Sequence, residues 1–200
     1  MLKPGTGTER VLRAVGEILE AEGQWVAIVI VGGSALNLLG IVERVTRDVD
    51  VIAVGHPPDA PTPRLQAPSD QLPQALAKAA TLVAADFGLD EDWINTGPAL
   101  QWKQGLPPGL EGRVRWRRYA NLNVGVVHRR DLVFLKLYAA ADATGPASVH
   151  YQDLIALRPT DEELQSARAW TLTQDASPDF HRVVDRVVQH VSRDTRTTRR

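Results

Sequence analysis

Apolar residues cluster along this chain in two periods, and the period changes mark the elements. Val26–Val31 is an unbroken apolar run, mostly β-branched, the pattern of a buried strand. It runs into Gly32, Gly33 and Ser34, where side-chain bulk vanishes, so the strand is predicted to end in a tight turn. Ala35 to Leu39 reads as a short helix opening at Ser34, and Asp48 to Val54 as a second strand whose acids alternate with Val49 and Ile52. Upstream, Thr6 and Glu9 have capping-box spacing, and Val11, Leu12, Val15, Ile18 and Leu19 form a helical stripe that stops at Gly23. Downstream, Gly55 to Pro73 carries Pro57, Pro58, Pro61, Pro63, Pro68 and Pro73 and reads as an irregular crossover. Leu72 to Phe87 then reads as an amphipathic helix ending at Gly88, and Trp93 to Thr96 as a short strand or loop.

The second half is helical after two more strands. Arg113, Arg115 and Arg117 alternate with Val114, Trp116 and Arg118, which predicts a strand with a basic face, followed by a strand over Asn121 to Val127. Helices are predicted over Asp131 to Ala141, over Tyr151 to Leu157, from the Thr160/Glu163 capping box through Trp170, and from Ser177-Pro178 along Phe180, Val183, Val184, Val187, Val188 and Val191. Arg193, Arg196, Arg199 and Arg200 form a polar basic tail. The expected organisation is an α/β (α+β) core over residues 1–128, a helical lobe packed on it over 129–192, and a tail over 193–200.

Composition narrows the chemistry. A formal charge of −1 gives no global attraction to nucleic acid, and the absence of cysteine excludes thiol catalysis, disulfides and thiolate metal sites. No apolar run approaches the roughly 20 residues of a membrane span, and the first residues lack the apolar core of a signal peptide. A cytoplasmic protein without a membrane partner is expected.

Candidate chemistry gathers at the first two strands. A strand that turns through glycines into a helix presents free backbone N–H groups, which suit phosphate. Residues two apart on a strand share a face at about 6.5 to 7 Å, so Asp48 and Asp50 can reach one metal site. Bare, they repel; a divalent cation removes that penalty, and a buried charged pair without one is costly. The bland alternative is a tight glycine turn beside a capping Asp48 and a solvated Asp50.

Gly-Gly-Ser, an intervening helix, then Asp-Val-Asp on a strand resembles the signature of the nucleotidyltransferase superfamily that includes DNA polymerase β. Within it, GGSAL followed by TRDVD resembles the AbiEii/MenT-like toxins and related bacterial nucleotidyltransferases. The spacing of a dinucleotide-binding G-x-G-x-x-G is absent. The resemblance implies a nucleotidyltransferase-fold mixed sheet with flanking helices. It implies that Gly32, Gly33, Ser34 and Arg47 bind a nucleoside triphosphate and that Asp48 and Asp50 hold Mg²⁺ or Mn²⁺. Lys136, in DLVFLKLYAA, would neutralise phosphate charge, and Asp153, in HYQDLIAL, would assist catalysis. The reaction implied moves a nucleoside monophosphate from the triphosphate to a hydroxyl of RNA or protein, and a toxin would have an antitoxin partner.

Departures from that pattern leave other readings. The strand over Asn121 to Val127, where polymerase-β-like enzymes commonly hold a third acid, offers Asn121 and Asn123. A catalytically silent nucleotide- or partner-binding member of the fold is therefore one alternative, and a sugar transferase using the Asp-Val-Asp metal site another. Several further residues carry two readings. The arginines of 113–118 form a phosphate track or guard a sheet edge. Trp93 and Asn95 offer a stacking ring and an amide, or a core residue and a turn former. Lone His56 reads as a turn residue rather than a ligand. His150, three residues before Asp153, is an orienting partner or a surface group.

Overall fold

The computed structural model describes residues 6–44, 46, 48–55, 65–69, 71–142 and 148–197. His56, most of the proline-rich crossover, the Gly145-Pro146 loop, Arg199 and Arg200 lie outside them. The chain divides into two compact units, Met1–Val127 and His128–Arg200. Together the described residues form eight α-helices and a mixed sheet of six strands, an α+β arrangement.

In the first unit, α1 (Thr6–Ala21) buries Val11, Leu12, Val15 and Leu19, and the chain turns at Gly23 with φ +63°. The strand β1 (Val26–Val31) is buried at all six positions, as its apolar, mostly β-branched run requires. It passes directly into α2 (Gly32–Leu38), which starts two residues before the predicted Ser34 because Gly32 makes the bend with φ +70°. Next comes β2 (Val49–Gly55), antiparallel to β1 with Ala27 opposite Gly55 and Val31 opposite Asp50. A register shift between Val29 and Ile30, opposite Ala53 and Val51, leaves Ile52 as an extra residue, a bulge in the middle of the pair.

The remaining elements flank that pair. A two-residue β3 (Leu65–Gln66) runs antiparallel to the end of β2. The helix α3 (Gln74–Phe87) buries Leu76, Ala79, Ala80, Val83 and Ala84 against α1 and ends at left-handed Gly88. A two-residue β4 (Ile94–Asn95) runs parallel to the start of β2. The short α4 (Ala99–Gln104), absent from the sequence-based prediction, packs on β2. Last come β5 (Arg115–Tyr119) and β6 (Leu122–Val126), an antiparallel pair. Since β6 lies parallel to β1, the order is β3-β2-β1-β6-β5, with β4 sharing the outer side of β2.

The basic face predicted for Arg113, Arg115 and Arg117 is not an open track. Arg113 sits in a 3-10 turn, Glu111–Arg113, and donates to the Pro108 carbonyl. The side of β5 bearing Arg117 and Tyr119 meets α1. Arg117 Nη1 donates to Glu9 at 2.7 Å, its Nη2 to the Leu38 carbonyl at 2.7 Å, and Arg13 stands over the Tyr119 ring. Arg115 and Arg118 remain exposed on this outer strand, where charge discourages pairing with another chain.

The second unit is helical. In it α5 (Arg129–Asp142) packs on α6 (Val149–Ala156), α7 (Asp161–Thr171) and α8 (Pro178–Thr197). Thr160 and Glu163 form the predicted capping box, and Ser177 Oγ accepts from Phe180 N at the start of α8. Of the predicted α8 stripe, Val184, Val188 and Val191 are buried. Arg193 and Arg196 lie on α8, which continues to Thr197, rather than in an irregular tail. Among the described residues no helix is long and apolar enough to cross a membrane.

Candidate active site

The bend between β1 and α2 and the start of β2 meet at one point. Because Asp50 stands opposite Val31, its side chain arrives beside the next residue, Gly32. A Cβ added to Gly32 would fall 3.1 Å from Asp50 Cγ and closer still to Oδ2, so the carboxylate occupies the space that any other residue would fill. The glycine is thus required twice, by its positive φ and by the acid beside it.

Gly33 is crowded from another side. A Cβ there would come within 3.0 Å of Arg44 Nη2 and 3.3 Å of Thr46 Cγ2, which places the Arg44 guanidinium over the first turn of α2. Asn37 donates from α2 to the Arg44 carbonyl at 3.1 Å, tying the returning loop to the helix. Arg44 is a residue that sequence reasoning passed over in favour of Arg47, which lies outside the described residues. Only the return of the loop after α2 reveals it.

Ser34 turns its side chain inward. It is fully buried, and its hydroxyl donates to the Val31 carbonyl at 3.3 Å. Asp48 differs from expectation, since it precedes β2 instead of lying on it, and it is exposed. Its carbonyl accepts from Thr46 Oγ1 at 3.1 Å. Asp50 is half-buried.

The immediate neighbours of Asp50 across the sheet are Val31 on one side and Asn95 on the other. Asn95 Nδ2 approaches Asp50 Oδ1 at 3.4 Å. Asn123 lies opposite Ala27, four positions along β1 from Val31, so the third-acid position sought on β6 does not adjoin Asp50. Asn121 lies in the turn between β5 and β6, and its Nδ2 donates to the Gln24 carbonyl ahead of β1. Among the described residues, no group of three or more His, Asp or Glu side chains gathers to hold a metal. Trp93, the candidate stacking ring, is core: 1% exposed, with Nε1 donating to the Ala80 carbonyl.

Lys136 and Asp153 come together within the second unit. Lys136 on α5 and Asp153 on α6 form an ion pair of 2.7 Å. Both are buried.

No protein-family model matches this chain, and neither a curated protein nor a solved structure is significantly similar to it.

Proposed function

We propose that the first unit is the core of a metal-dependent nucleotidyltransferase of the polymerase-β-like fold, transferring a nucleoside monophosphate from a triphosphate to a hydroxyl of RNA or protein. The supporting observation is the seat of Asp50 against Gly32. A carboxylate held at the mouth of a strand-glycine-helix bend joins the anionic and the amide-donating halves of such a site.

The donor set suits the metal that this reading requires. Asp48 and Asp50 are hard oxygen ligands, the kind Mg²⁺ and Mn²⁺ prefer, and the slot beside Gly32 exists only because a Cβ is missing. When bound, the cation would neutralise triphosphate charge and favour the deprotonated acceptor. The missing Cβ of Gly32 would leave room for the Asp50 carboxylate, and the Arg44 guanidinium beside Gly33 would supply positive charge toward phosphate. In the transfer, the acceptor oxygen forms a bond to the α-phosphorus and the bond to the bridging oxygen breaks. Pyrophosphate leaves with that electron pair, and the hydroxyl proton passes to solvent. The biological setting implied by the resemblance is a toxin held in check by an antitoxin.

A second reading, a catalytically silent nucleotide binder, draws support from Asn121 and Asn123 standing where the polymerase-β-like pattern has a third acid. Thermal stabilisation by each triphosphate with Mg²⁺, compared between wild type and Asp50→Ala, separates them. At a hundredfold excess over Kd, bound ligand adds about 2.7 kcal/mol. That gain should require both Mg²⁺ and Asp50, and labelled triphosphate should transfer to RNA or protein in a cell extract. Equal stabilisation of the variant and no transfer would favour the silent binder, and a larger effect of nucleotide-sugars would favour a sugar transferase.

A further inference from the structure

The segment carrying Asn95 is fixed before its side chain does anything. Trp93 is anchored by its ring to α3, its carbonyl accepts from Val49 N, and Ile94 and Asn95 pair with Val49 and Asp50. The amide of Asn95 is then oriented by the backbone: its Oδ1 accepts from Gly97 N at 2.9 Å. An amide whose oxygen is committed to an N–H must turn its NH₂ the other way, and here that direction leads to Asp50 Oδ1 at 3.4 Å. On the far side the other oxygen, Oδ2, rests in the space left by the missing Cβ of Gly32. The carboxylate therefore lies in a slot between an oriented amide and a bare glycine.

We infer that Asn95 is a positioning residue that sets the rotamer of Asp50, and so the direction in which its carboxylate faces a divalent cation. The catalytic meaning of this role rests on the nucleotidyltransferase reading; the amide–carboxylate contact does not. Groups that orient a metal ligand are typically worth 10- to 100-fold in metal affinity, because an unheld carboxylate must be ordered at the moment of binding.

The test uses the full-length ¹⁵N-labelled chain without metal, followed by Mn²⁺ titration. Asp50→Ala should displace the side-chain amide signal of Asn95, whereas Asp48→Ala should leave it in place. Asn95→Ala should raise the Kd for Mn²⁺ about tenfold. Should that variant lose structure, Asn95→Asp keeps an acceptor for Gly97 N–H and turns the donor facing Asp50 into a carboxylate oxygen that repels it; the Gly97 N–H should then stay hydrogen-bonded while the signal of Gly32, beside Asp50 Oδ2, moves. An Asn95 signal indifferent to Asp50→Ala, or a Gly32 signal indifferent to Asn95→Asp, overturns the inference. If wild type binds no Mn²⁺ but the amide signals respond as expected, the positioning role stands and the metal-dependent reading falls. If Mn²⁺ binds equally to wild type and a folded Asn95→Ala, the inference falls and the reading stands.

Discussion

Lys136 Nζ stands 2.7 Å from Asp153 Oδ2, and the two side chains are only 7% and 2% exposed. Taking both charges from water is costly, so removing one partner strands the other in the interior. Lys136→Met or Asp153→Leu alone should cost about 3 to 5 kcal/mol, while the double substitution should recover most of that loss. Urea denaturation of the three variants completes the cycle. Additive losses in the double variant would mean that the two groups are stabilised separately.

Gly32→Ala should be the most damaging single change at the proposed site. The added methyl meets Asp50 and φ is +70°, a conformation that alone costs alanine about 1 kcal/mol or more. Stability should fall by about 2 kcal/mol or more in all, and Mg²⁺-dependent stabilisation by triphosphates should disappear. Differential scanning fluorimetry with and without Mg²⁺ reads both effects. A variant that keeps wild-type metal dependence would show that Asp50 needs no seat there.

Gly16, in the middle of α1, permits a close approach of helix to sheet. A Cβ at this position would fall 2.7 Å from the carbonyl carbon of Tyr119, backbone that cannot swing aside. Alanine normally favours a helix over glycine by nearly 1 kcal/mol, but here overpacking should dominate. Gly16→Ala is expected to destabilise the protein by about 1 to 3 kcal/mol in chemical denaturation. A stabilised variant would mean that α1 shifts freely on the sheet.

Glu163 provides a pH-dependent contribution. The hydrogen-bonded Arg129 guanidinium holds its carboxyl below the ordinary value of 4.5, despite an opposing effect of burial. A depressed folded pKa means that this stabilisation is present above 4.5 and is lost as pH falls through the lower, folded value. Solvent screening keeps it to about 1 kcal/mol or less. The stability difference between wild type and Glu163→Gln should shrink on acidification below about pH 4.5, which paired denaturation curves would show. A difference constant down to pH 3 would place the contribution in packing rather than charge.

Local signals were legible in the residues themselves. Val26–Val31 is a strand with the bounds its composition predicts, and glycines 23 and 88 adopt the left-handed conformation that stops α1 and α3. Thr160 and Glu163 make their capping box because all its hydrogen bonds close within four residues. The short α4 carries no such signal, since Ala99–Gln104 has neither a capping side chain nor enough length to show a period. Arg117 read as part of a basic track because its partners, Glu9 and the Leu38 carbonyl, lie far away in the chain.

The same division runs through the proposed site. Sequence alone determined that a glycine bend and two nearby acids follow a buried strand, since these depend on neighbouring residues and on the period of a β-strand. Tertiary structure decided which acid meets the bend, because that depends on the register of β2 against β1, and register is fixed by the burial of both strands. It also decided that Arg44 covers Gly33 and that Asn95 borders Asp50. Each of these contacts joins segments whose separation is bridged only when the sheet forms and the loops are pulled in around it.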